Sequence, residues 1–201
     1  MNKAIISIYT EQTPNPENIK FVTNRMLYAG NNVDYPDAKS VNGTSAFADA
    51  LFALDFVRNV FIANNFVTIG KASPDLDWYE IIPDIKSAIK GFLETEEEVV
   101  NESALQKAVE KEAESINEEV AEDDLEMADK IKSMLAKYVQ PAVEMDGGSI
   151  VFKGYNDGIV TVGMQGACSG CPSSTITLKA GIEGMMKRMI PEVKEVVAEA
   201  M

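Results

Sequence analysis

Two cysteines, Cys168 and Cys171, are the only thiols in a chain of 201 residues. They lie in Gly166-Ala167-Cys168-Ser169-Gly170-Cys171-Pro172, a C-x-x-C spacing around a Ser-Gly turn. Thiols so placed can converge on one metal centre or close a small disulfide ring. Ser173-Ser174-Thr175 follows at once and leads into a long apolar-striped segment, which reads as the N-terminus of a helix. The positive end of a helix dipole favours thiolate, which is both the nucleophile and the soft metal ligand.

Composition removes several chemistries. There is no histidine, so Cys-His catalysis, Ser-His-Asp triads and histidine-bearing zinc sites are all excluded. The net charge of −14 would repel a phosphate backbone, which argues against nucleic-acid binding. No apolar run approaches the roughly 18 residues that span a membrane. The apolar part of Met1-Asn2-Lys3-Ala4-Ile5-Ile6 is too short for a signal peptide, and Glu11 follows soon after. The chain is expected to be cytoplasmic, where a structural disulfide is unusual.

Three roles remain for the cysteines. They can be ordinary buried residues, although a Gly- and Pro-flanked Ser-Gly turn is not a core pattern. They can exchange disulfides, with Cys168 attacking and Cys171 resolving. Against this, thioredoxin-like proteins place such a pair after a strand in a βαβ unit, whereas the flanking pattern here reads as a hairpin. They can bind metal, in which case two thiolates fill only half of a four-coordinate site. A second copy of the chain or an added thiol must then supply the rest, and a two-fold dimer does so simply. Soft thiolates select an iron-sulfur cluster or zinc, the latter giving a zinc-bridged structural dimer.

The elements that position this loop are legible from periodicity. Expected strands are Ala4–Thr10, Ile19–Val22, and a hairpin of Val60-Phe61-Ile62 and Phe66–Ile69 around Ala63-Asn64-Asn65. Thr13-Pro14-Asn15-Pro16 is a turn. A helix is expected over Thr44–Val57, capped by Thr44 or Ser45, with Phe47, Leu51, Leu54 and Phe56 on one face. A second runs from a cap at Asp77 to about Leu93, with Ile81, Ile82, Ile85 and Ile89 inward and Pro83 in its early turns, where a proline kinks a helix. Trp78 reads as core. Residues 94–126 carry 14 acidic side chains against Lys107 and Lys111, leaving 18 acids and 16 bases elsewhere. That stretch reads as a solvated, partly helical spacer. Beyond it, Asp123 and Glu126 form a capping-box pattern, and Met127, Ile131, Met134, Leu135 and Tyr138 form a helical stripe. Gly147-Gly148 ends this helix beyond Pro141. Strands Ile150–Phe152 and Ile159–Val162 meet through Asn156-Asp157-Gly158. The last helix carries Leu178, Ile182, Met185, Met186 and Met189, and Val193–Ala198 adds a third strand.

The expected class is therefore α+β: two small domains, residues 1–93 and 125–201, joined by an acidic linker at 94–124. The second domain runs helix-strand-strand-helix-strand.

Asp146-Gly147-Gly148, Gly166 through Ser174, Thr177-Leu178-Lys179 and Gly181-Ile182-Glu183 resemble the C-terminal domain of the NifU-like (Nfu) iron-sulfur proteins over residues 125–200. Thr13-Pro14-Asn15-Pro16, Ile19-Lys20-Phe21 and the Val60–Ile69 hairpin resemble the Nfu N-terminal domain. The chain departs from that pattern at Thr44-Ser45-Ala46-Phe47, where the family carries a Ser-Pro pair. The resemblance implies a scaffold or carrier, not an enzyme. It would hold a 4Fe-4S cluster, with a 2Fe-2S cluster as the alternative, on Cys168 and Cys171 of two subunits and pass it to apoproteins. Implied partners are a second copy of the chain when cluster is bound, client apo iron-sulfur proteins and upstream scaffold proteins.

Overall fold

The computed structural model describes residues 5–95, 98–113, 122–169 and 172–200. It divides into two compact units, Met1–Asn117 and Glu118–Met201, each with its own core. Both are α+β.

The first unit is built on five antiparallel strands: β1 Ile8–Gln12, β2 Asn18–Thr23, β3 Tyr28–Tyr35, β4 Val57–Asn64 and β5 Phe66–Lys71. Their order in the sheet is β1-β2-β5-β4-β3, so β1 and β3 are the edges. Side chains alternate across a pleated strand. One face therefore collects Ile19, Phe21, Ile62, Val67 and Ile69, which pack in one cluster with helices α1 (Ala46–Phe52) and α2 (Trp78–Thr95). Ile81, Ile85, Ile89 and Leu93 are the buried stripe of α2, while Ile82 is only half-buried. Pro83 lies inside α2, which runs on through it. Phe92 of α2 meets Phe47 of α1 edge-on at 5.2 Å between ring centroids. Trp78 is half-buried at the margin of this core, and its indole N–H donates to the Pro16 carbonyl at 2.9 Å.

Two expectations change here. The first strand lies at Ile8–Gln12, later than Ala4–Thr10, of which Ala4 itself is outside the described residues. The first helix is shorter than Thr44–Val57, because the chain is already extended at Val57, where it enters β4. Its cap is Ser45, whose hydroxyl accepts from the Ala48 amide at 3.0 Å and donates to the Val99 carbonyl at 2.7 Å. The Asn101 amide donates to the Thr44 carbonyl at 2.8 Å. These bonds pin the beginning of the acidic stretch, and Val99 and Val100 are buried in the first core. That part of the stretch is thus packed, not solvated. Helix α3 follows at Glu102–Ala113.

In the second unit, helix α4 (Glu122–Met134) passes through one π turn, Leu135–Val139, into α5 (Gln140–Met145). Its proposed caps, Asp123 and Glu126, have side chains outside the described residues. Pro141 explains the π turn: it has no N–H for the Lys137 carbonyl, and its ring crowds that carbonyl. The Gln140 amide bonds back five residues, to the Leu135 carbonyl. One added residue rotates everything beyond it. The stripe accordingly moves off Tyr138, which is 48% exposed, onto Val139 and Val143, which are buried.

Strands β6 (Gly148–Asn156) and β7 (Ile159–Gly166) form the expected hairpin. Asp157 at φ 50° and Gly158 at φ 85° make its two-residue turn. Helix α6 (Pro172–Met189) buries Ile182 and Met186, with Ile190 just beyond, while Met189 faces outward. Strand β8 (Glu195–Ala200) returns parallel to β7. The order in this sheet is β6-β7-β8.

The register change at the π turn has a measurable consequence. Val139→Ala removes buried apolar volume and is expected to cost about 1–2 kcal/mol, whereas Tyr138→Ala is expected to stay within about 0.5 kcal/mol. Urea unfolding of the two variants decides; equal losses would mean that the helix keeps its ordinary register.

Candidate functional site

Cys168 sits where two glycine turns meet. Helix α5 stops at Gly147, whose φ of 80° suits glycine and whose amide donates to the Glu144 carbonyl at 3.1 Å. The chain enters β6 at Gly148, paired with Gly166 at the last rung of the β6–β7 ladder. Gly166, at φ 64°, then turns the chain out of β7. The two turns are tied: the Ala167 amide donates to the Gly147 carbonyl at 3.2 Å, and the Ser169 amide to the Gly166 carbonyl at 3.1 Å. Asp146-Gly147-Gly148 is thus a helix-ending turn, as expected of Gly147-Gly148.

Gly148 has a second role. A Cβ on it would lie 2.8 Å from the Cys168 sulfur and 2.7 Å from the Gln165 carbonyl oxygen. The thiol therefore occupies the space a side chain would take. Cys168 is only 7% exposed and belongs to the second core, with Ile182 and Met186 of α6 in the same cluster. This corrects the expectation that a Gly- and Pro-flanked Ser-Gly turn is not a core pattern. Gln140 braces the corner from the helix side. Its amide nitrogen donates to Glu144 at 2.7 Å and to the buried Ser149 hydroxyl at 3.1 Å, and its oxygen accepts from the Ile150 amide at 3.2 Å. The sequence reading did not single out Gln140; a polar residue beside a proline at the end of an apolar stripe was the available signal.

Cys171 lies outside the described residues, as do the side chains of Ser173, Ser174 and Thr175. The 18-residue helix α6 begins at Pro172, so the cysteine loop does lead directly into a helix. The topology around it differs from the hairpin reading. Strand β7, helix α6 and strand β8 form a βαβ unit with parallel strands, so the loop lies at the strand-to-helix junction of such a unit. Connectivity therefore does not distinguish a disulfide-exchange site from a metal site here. Burial of Cys168 does not either, since an attacking thiolate and a metal-ligating one both need access. Among the described residues, no three His, Cys, Asp or Glu side chains converge as a metal site.

Of the remaining motif residues, Lys179 and Glu183 make bonds within the second unit. Lys179 pairs with Glu195 at 3.6 Å. Glu183 accepts from Lys187 at 2.6 Å and from the Val196 amide at 3.1 Å, clamping α6 to β8. These bonds, the Lys187 bond first, hold its carboxyl below the usual glutamate range. A lowered folded-state pKa gives stability that is present above the unfolded value and lost as pH falls through the folded one.

Residues 131–197 match the family model described as NifU-like domain, and residues 8–96 match that described as scaffold protein Nfu/NifU N terminal. The chain is 36% identical over 189 residues to the NFU1 iron-sulfur cluster scaffold homolog, mitochondrial, of Homo sapiens, covering 94% of this chain and 70% of that protein. It is 39% identical to the protein of the same name from Drosophila ananassae, covering 94% of this chain and 63% of the relative's length. It is 38% identical to NifU-like protein 4, mitochondrial, of Arabidopsis thaliana, covering 96% and 65%. These relatives are mitochondrial by name, which overturns the expected cytoplasmic location. The composition argument tested only for a secretory segment and a reducing environment, and those criteria do not separate the cytosol from other reducing compartments.

The close approach at Gly148 predicts the effect of filling it. Gly148→Ala should cost about 1–3 kcal/mol, because the Gln165 backbone cannot yield without opening the ladder. It should also speed the reaction of Cys168 with an aromatic disulfide reagent, by pushing the sulfur outward. Unchanged stability together with unchanged thiol reactivity would remove the steric role assigned to Gly148.

Proposed function

Since the chain belongs to the Nfu/NifU-like family, we propose that it is an iron-sulfur cluster scaffold and carrier, not an enzyme. It binds a 4Fe-4S cluster through Cys168 and Cys171 of two subunits and hands it to client apoproteins. The cluster is cargo. The observation that carries this reading is the seating of Cys168 at the glycine corner, at the start of α6, in a chain with one other thiol and no histidine.

Two thiolates per chain leave half of a four-thiolate coordination to a second copy. The buried position of Cys168 suits delivery. Drawing the sulfur out to reach a shared cluster costs contacts in the second core, so the bound state is less favourable than one on preformed, exposed ligands. Transfer is ligand exchange: incoming client thiolates replace Cys168 and Cys171, and no electron needs to move. We further propose that the first unit selects or positions clients. The alternatives are a dithiol-disulfide oxidoreductase and a zinc-bridged dimer.

Anaerobic reconstitution with iron and sulfide separates these readings. A brown chromophore at about two irons and two sulfides per chain is expected for a shared 4Fe-4S cluster, and about one of each for a shared 2Fe-2S cluster. Dithiol turnover without colour would replace the carrier by an oxidoreductase; stoichiometric zinc with no cluster uptake would replace it by a structural dimer. Cys171→Ser is expected to abolish the chromophore with little change in stability. Cys168→Ser should abolish it and also cost about 1–3 kcal/mol, because a hydroxyl replaces a thiol within the core. Full chromophore in either variant refutes the ligand assignment. Sedimentation before and after loading should show dimerisation on loading, and a loaded species that stays monomeric without added thiols refutes the bridge.

A further inference from the structure

The first unit contains a cavity of about 670 Å³ that the cysteine chemistry does not use. It lies on the helix side of the sheet, between the strands and the start of α2. Strand register settles which side chains face it. Lys71 alternates with Val67 and Ile69, so it shares their face, the one that packs against the helices. Its ammonium accordingly reaches the α2 side. It donates to the carbonyls of Pro74 and Leu76 at 2.8 and 2.7 Å and lies 5.9 Å from the Trp78 ring centroid. Lys71, Leu76 and Trp78 all line the cavity. Ile19 and Gln12 stand opposite each other in the β1–β2 ladder, on the same face, and line it too.

Two lysines are buried among the described residues, and they differ in charge balance. Lys20 points to the other face of the sheet and pairs with Glu11 at 3.2 Å. Lys71, 8% exposed, makes no ion pair among the described residues. Two neutral carbonyls fix its position without cancelling its charge. A buried lysine ordinarily has an acid beside it. Two acidic residues line the cavity, and neither answers Lys71. Glu11 is directly opposite Lys20, on the far face. Asp77 caps α2 and accepts from the Tyr79 amide at 2.9 Å, so its charge is set against the positive end of that helix. The unbalanced charge in the wall is therefore positive, and Ile19, Leu76, Trp78 and Ile82 make the lining around it largely apolar. The volume is that of a small-ligand site. We propose that this cavity binds a carboxylate carried on an apolar stem, the carboxylate against the Lys71 ammonium and the stem along Trp78 and Ile82. The site goes beyond cluster carriage and needs neither cysteine. A free acid and the C-terminus of a peptide both present this chemistry, and the test separates them.

Trp78 is the only tryptophan in the chain, so its fluorescence reports on this wall alone. The probes are isocaproate and isocaproamide, which share a shape and differ in charge, added to the full apo chain at neutral pH. The acid should change the emission with a dissociation constant of about a millimolar, the range for a ligand of so few atoms. The amide should bind roughly tenfold more weakly. Lys71→Met should reduce the acid to the affinity of the amide. Because Lys71 also ties down the loop after β5, Tyr79→Glu serves as a second variant. At a position 88% exposed, it adds a negative charge to the cavity wall and should weaken the acid roughly threefold while leaving the amide unchanged. Equal binding of acid and amide overturns the proposal, as does an unchanged emission at tens of millimolar acid. A Lys71→Met variant that folds and still prefers the acid overturns it too. Acetyl-Thr-Val-Leu with a free or an amidated C-terminus then identifies the source. Preference for the free terminus assigns the site to a chain end, and binding of neither peptide assigns it to a small acid; the carboxylate site stands in both cases.

Discussion

The second unit depends on one steric allowance: the sulfur of Cys168 occupies the space where Gly148 has no side chain. Much else in that unit serves to keep the two in register. The β6–β7 ladder must end with glycine opposite glycine, the α5 terminus must release the chain at Gly147 in a left-handed turn, and the Gly147 carbonyl must face the Ala167 amide. Pro141 contributes from a distance. By forcing a π turn, it sets the rotation of the following helical residues, and Gln140 then reaches across to the Ser149 hydroxyl and the Ile150 amide. The site is a corner held by backbone bonds, with one polar side chain bracing it.

A corner of this kind suits a transient ligand better than a permanent one. The thiol is sheltered in the core; on the proposed function this protects it while no cluster is bound, and the cost of exposing it for a shared cluster helps release. Most ferredoxin sites gather all their ligands from one chain and meet no such cost. The first unit contributes no thiol.

Much of this was legible because it depends on local pattern. The Asp157-Gly158 turn specified its hairpin, the stripe Ile81, Ile85, Ile89 and Leu93 specified α2, and Ser45 was one of two caps read for α1. The errors share a cause. Tyr138 looked inward because a stripe extrapolated at 3.6 residues per turn cannot include the residue that Pro141 inserts. Strand β3 went unread because Tyr28–Tyr35 has little apolar alternation and owes its pairing to β4. Val99 and Val100 were assigned to a spacer because charge dominates their neighbourhood, whereas Ser45 and Thr44, more than 50 residues earlier, hold the chain against the core.

The sequence by itself determined the kind of chemistry available. Two thiols, no histidine and a C-x-x-C turn ahead of a helix leave soft-metal and disulfide chemistry as the reactive roles open to the pair whatever the fold. It also determined the α+β class, because strand and helix periodicities are properties of short segments. Tertiary structure decided the environment of those thiols. Only the parallel pairing of β8 with β7 turns the strand, helix and strand read in order into a βαβ junction, and only the end of the β6–β7 ladder brings Gly148, twenty residues earlier, against Cys168. Burial is a property of how segments meet, and a spacing of two cysteines contains no information about what lies behind them.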